Sequence, residues 1–275
     1  MIQRYRLLYR VNMKCLQLGK QEKIIISALV VLSVVSWIVT VFHAHSMNSQ
    51  MSMEMEMSMG MENHSMIFEA SLFLVMWVVM MIAMMFPAVV PMVLIFSKVH
   101  DNRKAKNEGS IPTWVFVSGY LLVWAFFGVL AYFGDSLVDR SAMSFPRLRE
   151  FSPVIGGVVL IASGLYQLTP LKNACLTHCR SPLHFIMHKW REGYLGALLM
   201  GVDHGVYCLG CCWGLMLVLF VVGVMNLTWM GILTLVIFVE KISKHGVIIS
   251  RIIGGFLILL GIILAIQPSM VSFIF

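Results

Sequence analysis

Sulfur and imidazole carry whatever chemistry this chain performs. Residues 43–66 read HAHSMNSQMSMEMEMSMGMENHSM. Met47, Met51, Met53, Met55, Met57, Met59, Met61 and Met66 supply thioethers there, and His43, His45 and His64 supply imidazoles at the edges. The stretch holds no Lys, Arg, branched aliphatic or aromatic residue. Ser, Glu, Asn and Gly separate its methionines, so no apolar face accumulates and it does not build a core. Thioether is a soft, uncharged donor suited to Cu(I), and imidazole suits copper in either oxidation state. An extended backbone would line the alternate methionines from Met51 to Met61 along one edge. Glu54, Glu56 and Glu62 add negative charge that attracts a cation. The stretch reads as a flexible external loop that collects copper; the alternative is a Met-biased linker that binds nothing.

Three further clusters follow. Met76, Met80 and Met84 recur every four residues, as do Met81 and Met85, which sets two adjacent sulfur rows down one helix. Packing is the ordinary use of such a stripe, but its position below a Met-rich loop makes it a candidate path for a soft ion. Cys175, His178 and Cys179 form C-x-x-H-C, with His184 and His188 shortly after. On the cytoplasmic side such thiols stay reduced and available for ligation. His204, Cys208, Cys211 and Cys212 fall at i, i+4, i+7 and i+8, one face of one helix. Ionisable groups deep in an apolar helix are costly and usually functional, and Asp203, one residue off that face, is placed to orient an imidazole or carry a proton. Of these, Met76, Met80, Met84, Cys175, His178, Cys179, Asp203, His204, Cys208, Cys211 and Cys212 are the expected metal-site residues.

The elements that must hold these residues are transmembrane helices. Hydrophobic residues make up 59% of the chain and charged residues 12%, against about 45–50% and about 25% in globular domains. Apolar runs cover 24–42, 68–96, 114–133, 153–168, 194–222, 227–239 and 247–266. A helical span takes about 20 apolar residues, so the expectation is an all-α polytopic bundle of six or seven spans, seven preferred, with 227–239 the short one. Residues 1–23 form a basic tail, 24–42 the first span, 43–67 the Met/His-rich external loop, and 68–275 one multi-span metal-binding domain. The first run exceeds the usual h-region of a signal peptide and reads as an uncleaved anchor. Pro87 and Pro91 should kink the second span, and Gly156, Gly157, Ala162 and Gly164 mark a helix made for close packing.

With seven spans, seventeen of the twenty Lys and Arg residues fall on one side, leaving Arg140, Arg147 and Arg149 opposite. That side is cytoplasmic, which puts the N-terminus inside and the Met/His loop outside. The net charge of +7 is this topology signal together with attraction to anionic lipid, so no nucleic-acid partner is expected. A complete nucleophilic triad, a phosphate loop and a dinucleotide fingerprint are not found in the sequence, which argues against an ATP-driven pump; the leading reading is a non-enzymatic protein.

The ordered set MW-x-x-M-x-x-AMM (from Met76), C-x-x-HCRSP (from Cys175), DHG…C-x-GCCW (from Asp203), G-x-MN-x-x-WM (from Gly223) and Glu240-Lys241 resembles the bacterial family of predicted metal-binding integral membrane proteins. Within it the likeness is to membrane copper chaperones encoded beside a bacterial tyrosinase, a polyphenol oxidase of melanin formation. The likeness covers about residues 68–241, with the Met/His loop outside it. It implies copper supply to a tyrosinase apoprotein; with the soft donors and the topology, the leading expectation is a protein of the bacterial inner membrane that acquires copper, as Cu(I), and hands it to that enzyme. Two other classes remain: a membrane thiol or copper redox enzyme, and a copper-buffering stress protein. The residues leave the direction of copper movement open.

Overall fold

The computed structural model describes residues 20–54, 66–105, 111–144, 152–223 and 226–266. Among them the chain is entirely helical: α1 Lys20–Glu54, α2 Met66–Ala105, α3 Thr113–Ser144, α4 Ser152–Leu168, α5 Pro170–Arg180, α6 Pro182–Lys189, α7 Gly193–Val222, α8 Leu227–Ile242 and α9 Gly246–Ile266. Five of these, α1, α2, α3, α7 and α9, are long and apolar enough to cross a membrane, and α4 with α5, bent by 62° at their junction, forms either one broken span, which would be the sixth, or a re-entrant loop. The seventh expected span is α8. Its 16 residues extend about 24 Å at 1.5 Å per residue, short of the roughly 30 Å hydrocarbon core. The protein is a polytopic helical membrane bundle.

Its outer surface is apolar in the way a bilayer requires. Leu122, Phe126, Leu130 and Phe133 form an exposed stripe at helical spacing along α3, a patch tolerated against lipid but not against water. The interior is unusually rich in sulfur: Met80, Met81, Met84, Met85, Met92, Met200, Met216 and Met230 are each at most 2% exposed.

Backbone chemistry explains the joins. Pro87 lies within α2 without ending it, but it offers no N–H to the carbonyl of Ala83. Ser33 Oγ and Trp37 Nε1 of α1 both donate to that carbonyl, at 3.0 and 3.1 Å, so the donor missing from α2 is replaced from α1. Gly119 and Gly201 bring α3 and α7 together: a Cβ on either would collide with a backbone carbonyl of the other helix, Leu198 O and Phe116 O respectively. Gly157 and Gly164 face Gly261 and Gly254 of α9 in the same way, the close packing that the small residues of α4 led one to expect. Thr169 and Pro170 set the break between α4 and α5: Thr169 caps α5 by accepting from Lys172 N at 3.3 Å, and Pro170 begins the helix where its absent N–H costs nothing. Ser181 and Pro182 end α5 and open α6.

α1 continues to Glu54, so His43 and His45 lie on a helix, and the backbone at Met47, Met51 and Met53 is helical rather than extended. The expected alternation along one edge therefore does not hold for Met51 and Met53. Met55, Met57, Met59, Met61 and His64 lie outside the described residues, and Met66 begins α2.

Candidate metal centre

Helix α7 gathers the thiols because its 3.6-residue repeat returns Cys208, Cys211 and Cys212 to one face. Their sulfurs lie within 4.8 Å of one another, the one compact group of three such ligands among the described residues. They are 0%, 2% and 1% exposed. Cys211 and Cys212 donate S–H to the carbonyl of Cys208, one turn back, at 3.1 and 2.8 Å. Cys208 differs from its neighbours. Its sulfur lies 3.2 Å from the Tyr120 hydroxyl of α3 and 2.9 Å from Lys241 Nζ of α8. An ammonium only donates, so the Cys208 sulfur is the acceptor there.

The C-x-x-H-C cluster does not stand apart from this group. α5 packs along α7, and Cys179 Sγ lies 3.8 Å from Cys211 Sγ. Cys175 rests on Gly210: a Cβ at that glycine would lie 2.8 Å from its sulfur. The separate intramembrane and cytoplasmic thiol sites expected from sequence are thus one neighbourhood of five free cysteines. His178 is turned elsewhere. Its ring stacks on Tyr207 at 4.5 Å and 3°, and its Nδ1 pairs with Ala174 O at 2.9 Å.

His204 sits one turn below Cys208, 3% exposed, between the rings of Phe116, Tyr120 and Phe185 at 6.1, 5.9 and 5.6 Å. Its Nδ1 has no hydrogen-bond partner. Asp203 does not orient it; the carboxylate faces Arg191 at 3.3 Å. In place of the orienting role expected of it, Asp203, nearly three turns into α7, pairs with Arg191 just before the helix begins.

The methionine-bearing helix α2 lies beside α7. Trp77 of α2 meets Phe220 near the end of α7, ring centroids 6.3 Å apart, and Phe96 meets Trp190 just before α7 begins, at 5.8 Å, so the two helices run in opposite senses. Met76, Met80 and Met84 of α2 are 9%, 2% and 0% exposed.

A buried polar network frames the site. Lys172 of α5 and Glu240 of α8 pair at 2.8 Å with side chains 0% and 2% exposed. Lys172 also donates to Gln167 Oε1 of α4, which accepts from Ser250 Oγ of α9 at 3.1 Å. Arg180 reaches Ser243 O beyond α8, and the Tyr166 hydroxyl donates to Gly210 O beside the thiols. Nothing in the local sequence marks Lys241, Tyr120 or Tyr166 as lying beside the thiols. Their partners lie 33, 88 and 44 positions away, and no local spacing reports such contacts.

Chemically, the site offers three thiols in contact range and a fourth beside them, all uncharged or soft donors, and no carboxylate among them. Such a set favours a soft monovalent ion over hard divalent ones. Residues 74–264 match the family model PpoB2, described as copper chaperone. No curated protein and no solved structure matches the chain.

Proposed function

The chain belongs to the PpoB2 copper chaperone family, and we propose that it takes up Cu(I) from outside the cell and hands it to a partner copper enzyme, a tyrosinase, on the cytoplasmic side. The N-terminus is cytoplasmic in this reading, and the membrane is the bacterial inner membrane. The Met/His-rich segment from His43 to Met66 is the collector. Met76, Met80 and Met84 are the descent, and Cys208, Cys211 and Cys212 the holding site, with Cys179 the ligand that passes the ion on toward the cytoplasm. His204 stands below the thiols as a further donor, since its Nδ1 is unclaimed. The protein is a carrier, not a catalyst.

One observation carries the proposal: three buried thiols within 4.8 Å of one another, with Cys179 3.8 Å from Cys211; the burial of Met76, Met80 and Met84 within α2 supports the descent. Cu(I) moves through such a series by ligand exchange, each new sulfur binding before the last one leaves. Several sites of similar strength permit transit where one very tight site would trap the ion.

The test is tyrosinase activity in cells lacking the protein, at limiting and at excess copper. Loss of activity at limiting copper, restored by added copper and by the wild-type chain but not by Cys208→Ser, supports delivery. Normal activity at limiting copper refutes it. The Cys179–Cys211 distance also favours a second reading, a thiol redox protein, for which the readout is turnover with a quinone or thiol substrate.

A further inference from the structure

Charge counting at the thiols singles out a residue that soft-metal ligation does not itself demand. Metal-ligating cysteines bind as thiolates. Cu(I) between two of them leaves a net charge of minus one, and a buried charge is strongly disfavoured unless a cation stands beside it. Lys241 stands there, reaching from the last turn of α8 to Cys208 on α7, Nζ to Sγ 2.9 Å. The adjacent carboxylate, Glu240, already pairs with Lys172 at 2.8 Å, and Asp203 faces Arg191. The Lys241 ammonium is therefore directed at sulfur rather than at a carboxylate. The Tyr120 hydroxyl reaches the same sulfur but brings no charge.

We propose that Lys241 is the counter-charge of this site: it holds the place of a cation beside Cys208 before cargo arrives, and neutralises the Cu(I)–dithiolate once it is bound. The inference rests on the reading of the thiols as copper ligands. Two thiolates, one monovalent ion and one ammonium sum to zero. A divalent ion in the same two-thiolate place leaves an excess of one positive charge. Lys241 thereby makes the site selective for the charge of its cargo as well as for its softness, a property the sulfur ligands alone do not provide.

The experiment uses the full chain purified in detergent under anaerobic conditions, with Cu(I) affinity measured by competition against a chromogenic chelator and Zn(II) affinity measured in parallel. Lys241→Met keeps most of the stem and removes the charge; Lys241→Gln removes the charge and keeps a donor; Lys241→Arg keeps the charge. Thermal unfolding of each variant reports folding, and Cys208→Ser is the control on the copper reading itself. Because the ammonium acts at contact distance, both neutral variants should lose at least about tenfold in Cu(I) affinity without losing Zn(II) affinity. Lys241→Arg should stay within about threefold of wild type, since the charge persists. A neutral variant that binds Cu(I) like wild type, while Cys208→Ser does not, overturns this proposal alone. So does an Arg variant that folds normally yet loses as much as Met, which would mean the ammonium only fills space. If Cys208→Ser leaves Cu(I) binding unchanged, the underlying copper site falls and this proposal with it.

Discussion

The Lys172–Glu240 pair can be taken apart by a double-mutant cycle, and its geometry sets the expected result. The charged atoms are 2.8 Å apart, with side chains 0% and 2% exposed. At an effective dielectric constant near 20, unit charges at that distance attract by about 6 kcal/mol. The cost of removing both from water offsets much of that attraction, so the intact pair adds little net stability. Removing one partner leaves the other charge buried and alone, which costs about 3–5 kcal/mol. Lys172→Met should therefore destabilise the protein by that amount. Lys172→Met with Glu240→Leu should lose no more than about 2 kcal/mol, because no orphan charge remains. The assay is reversible unfolding in mixed micelles, followed by circular dichroism as denaturing detergent is titrated in. Single costs that simply add in the double variant, or a Lys172→Met cost below about 1 kcal/mol, would show that the two groups do not form a buried ion pair. The pair ties α5 to α8, and α5 carries Cys179, so Lys172→Met should also lower the yield of Cys179–Cys211 cross-linking by a mild oxidant.

Three more outcomes follow from contacts described above. Gly201→Val should cost at least about 4 kcal/mol or prevent folding, because its side chain would enter the α3 backbone at Phe116 O, where overpacking cannot be relieved by rotation; thermal unfolding of the purified protein checks this. Met84→Leu with Met85→Leu should change stability by less than about 1.5 kcal/mol, since the volumes nearly match, yet slow copper transfer in cells; equal slowing and destabilisation would mark these methionines as packing alone. Trp37→Phe should cost about 1 kcal/mol through loss of the donor to Ala83 O, and Ser33→Ala combined with it more than the sum, since the carbonyl that Pro87 leaves without a partner would then have none; unfolding of the single and double variants measures the difference.

The helical bundle is legible in the sequence because apolar run length and helical periodicity are local properties. The runs at 68–96, 114–133, 194–222 and 247–266 correspond to α2, α3, α7 and α9, and the short run at 227–239 is the short helix α8. The one-face spacing of Cys208, Cys211 and Cys212 is equally local, and their sulfurs do meet. What the sequence leaves hidden is tertiary. Charge counting separates Cys179 from the α7 thiols by topology, yet the bend at Thr169–Pro170 folds α5 along α7 and closes that gap to 3.8 Å. Asp203 lies next to His204 in the chain but turns to Arg191, because neighbours on a helix point about 100° apart. Lys241 is conspicuous only as part of a Glu-Lys pair, and its sulfur partner emerges from the antiparallel packing of α8 on α7. Composition likewise points to an extended Met-rich loop, whereas α1 continues as helix to Glu54.

The account stands most directly on where the first Cu(I) ion goes. X-ray absorption at the copper edge, on purified full-length protein loaded anaerobically with one equivalent of Cu(I), should show an all-sulfur shell of two or three ligands. That shell should be lost or altered when Cys208, Cys211 and Cys212 are all changed to Ser. A first shell of nitrogen and oxygen, or a spectrum that the triple substitution leaves unchanged, would contradict the assignment of the α7 thiols as the holding site.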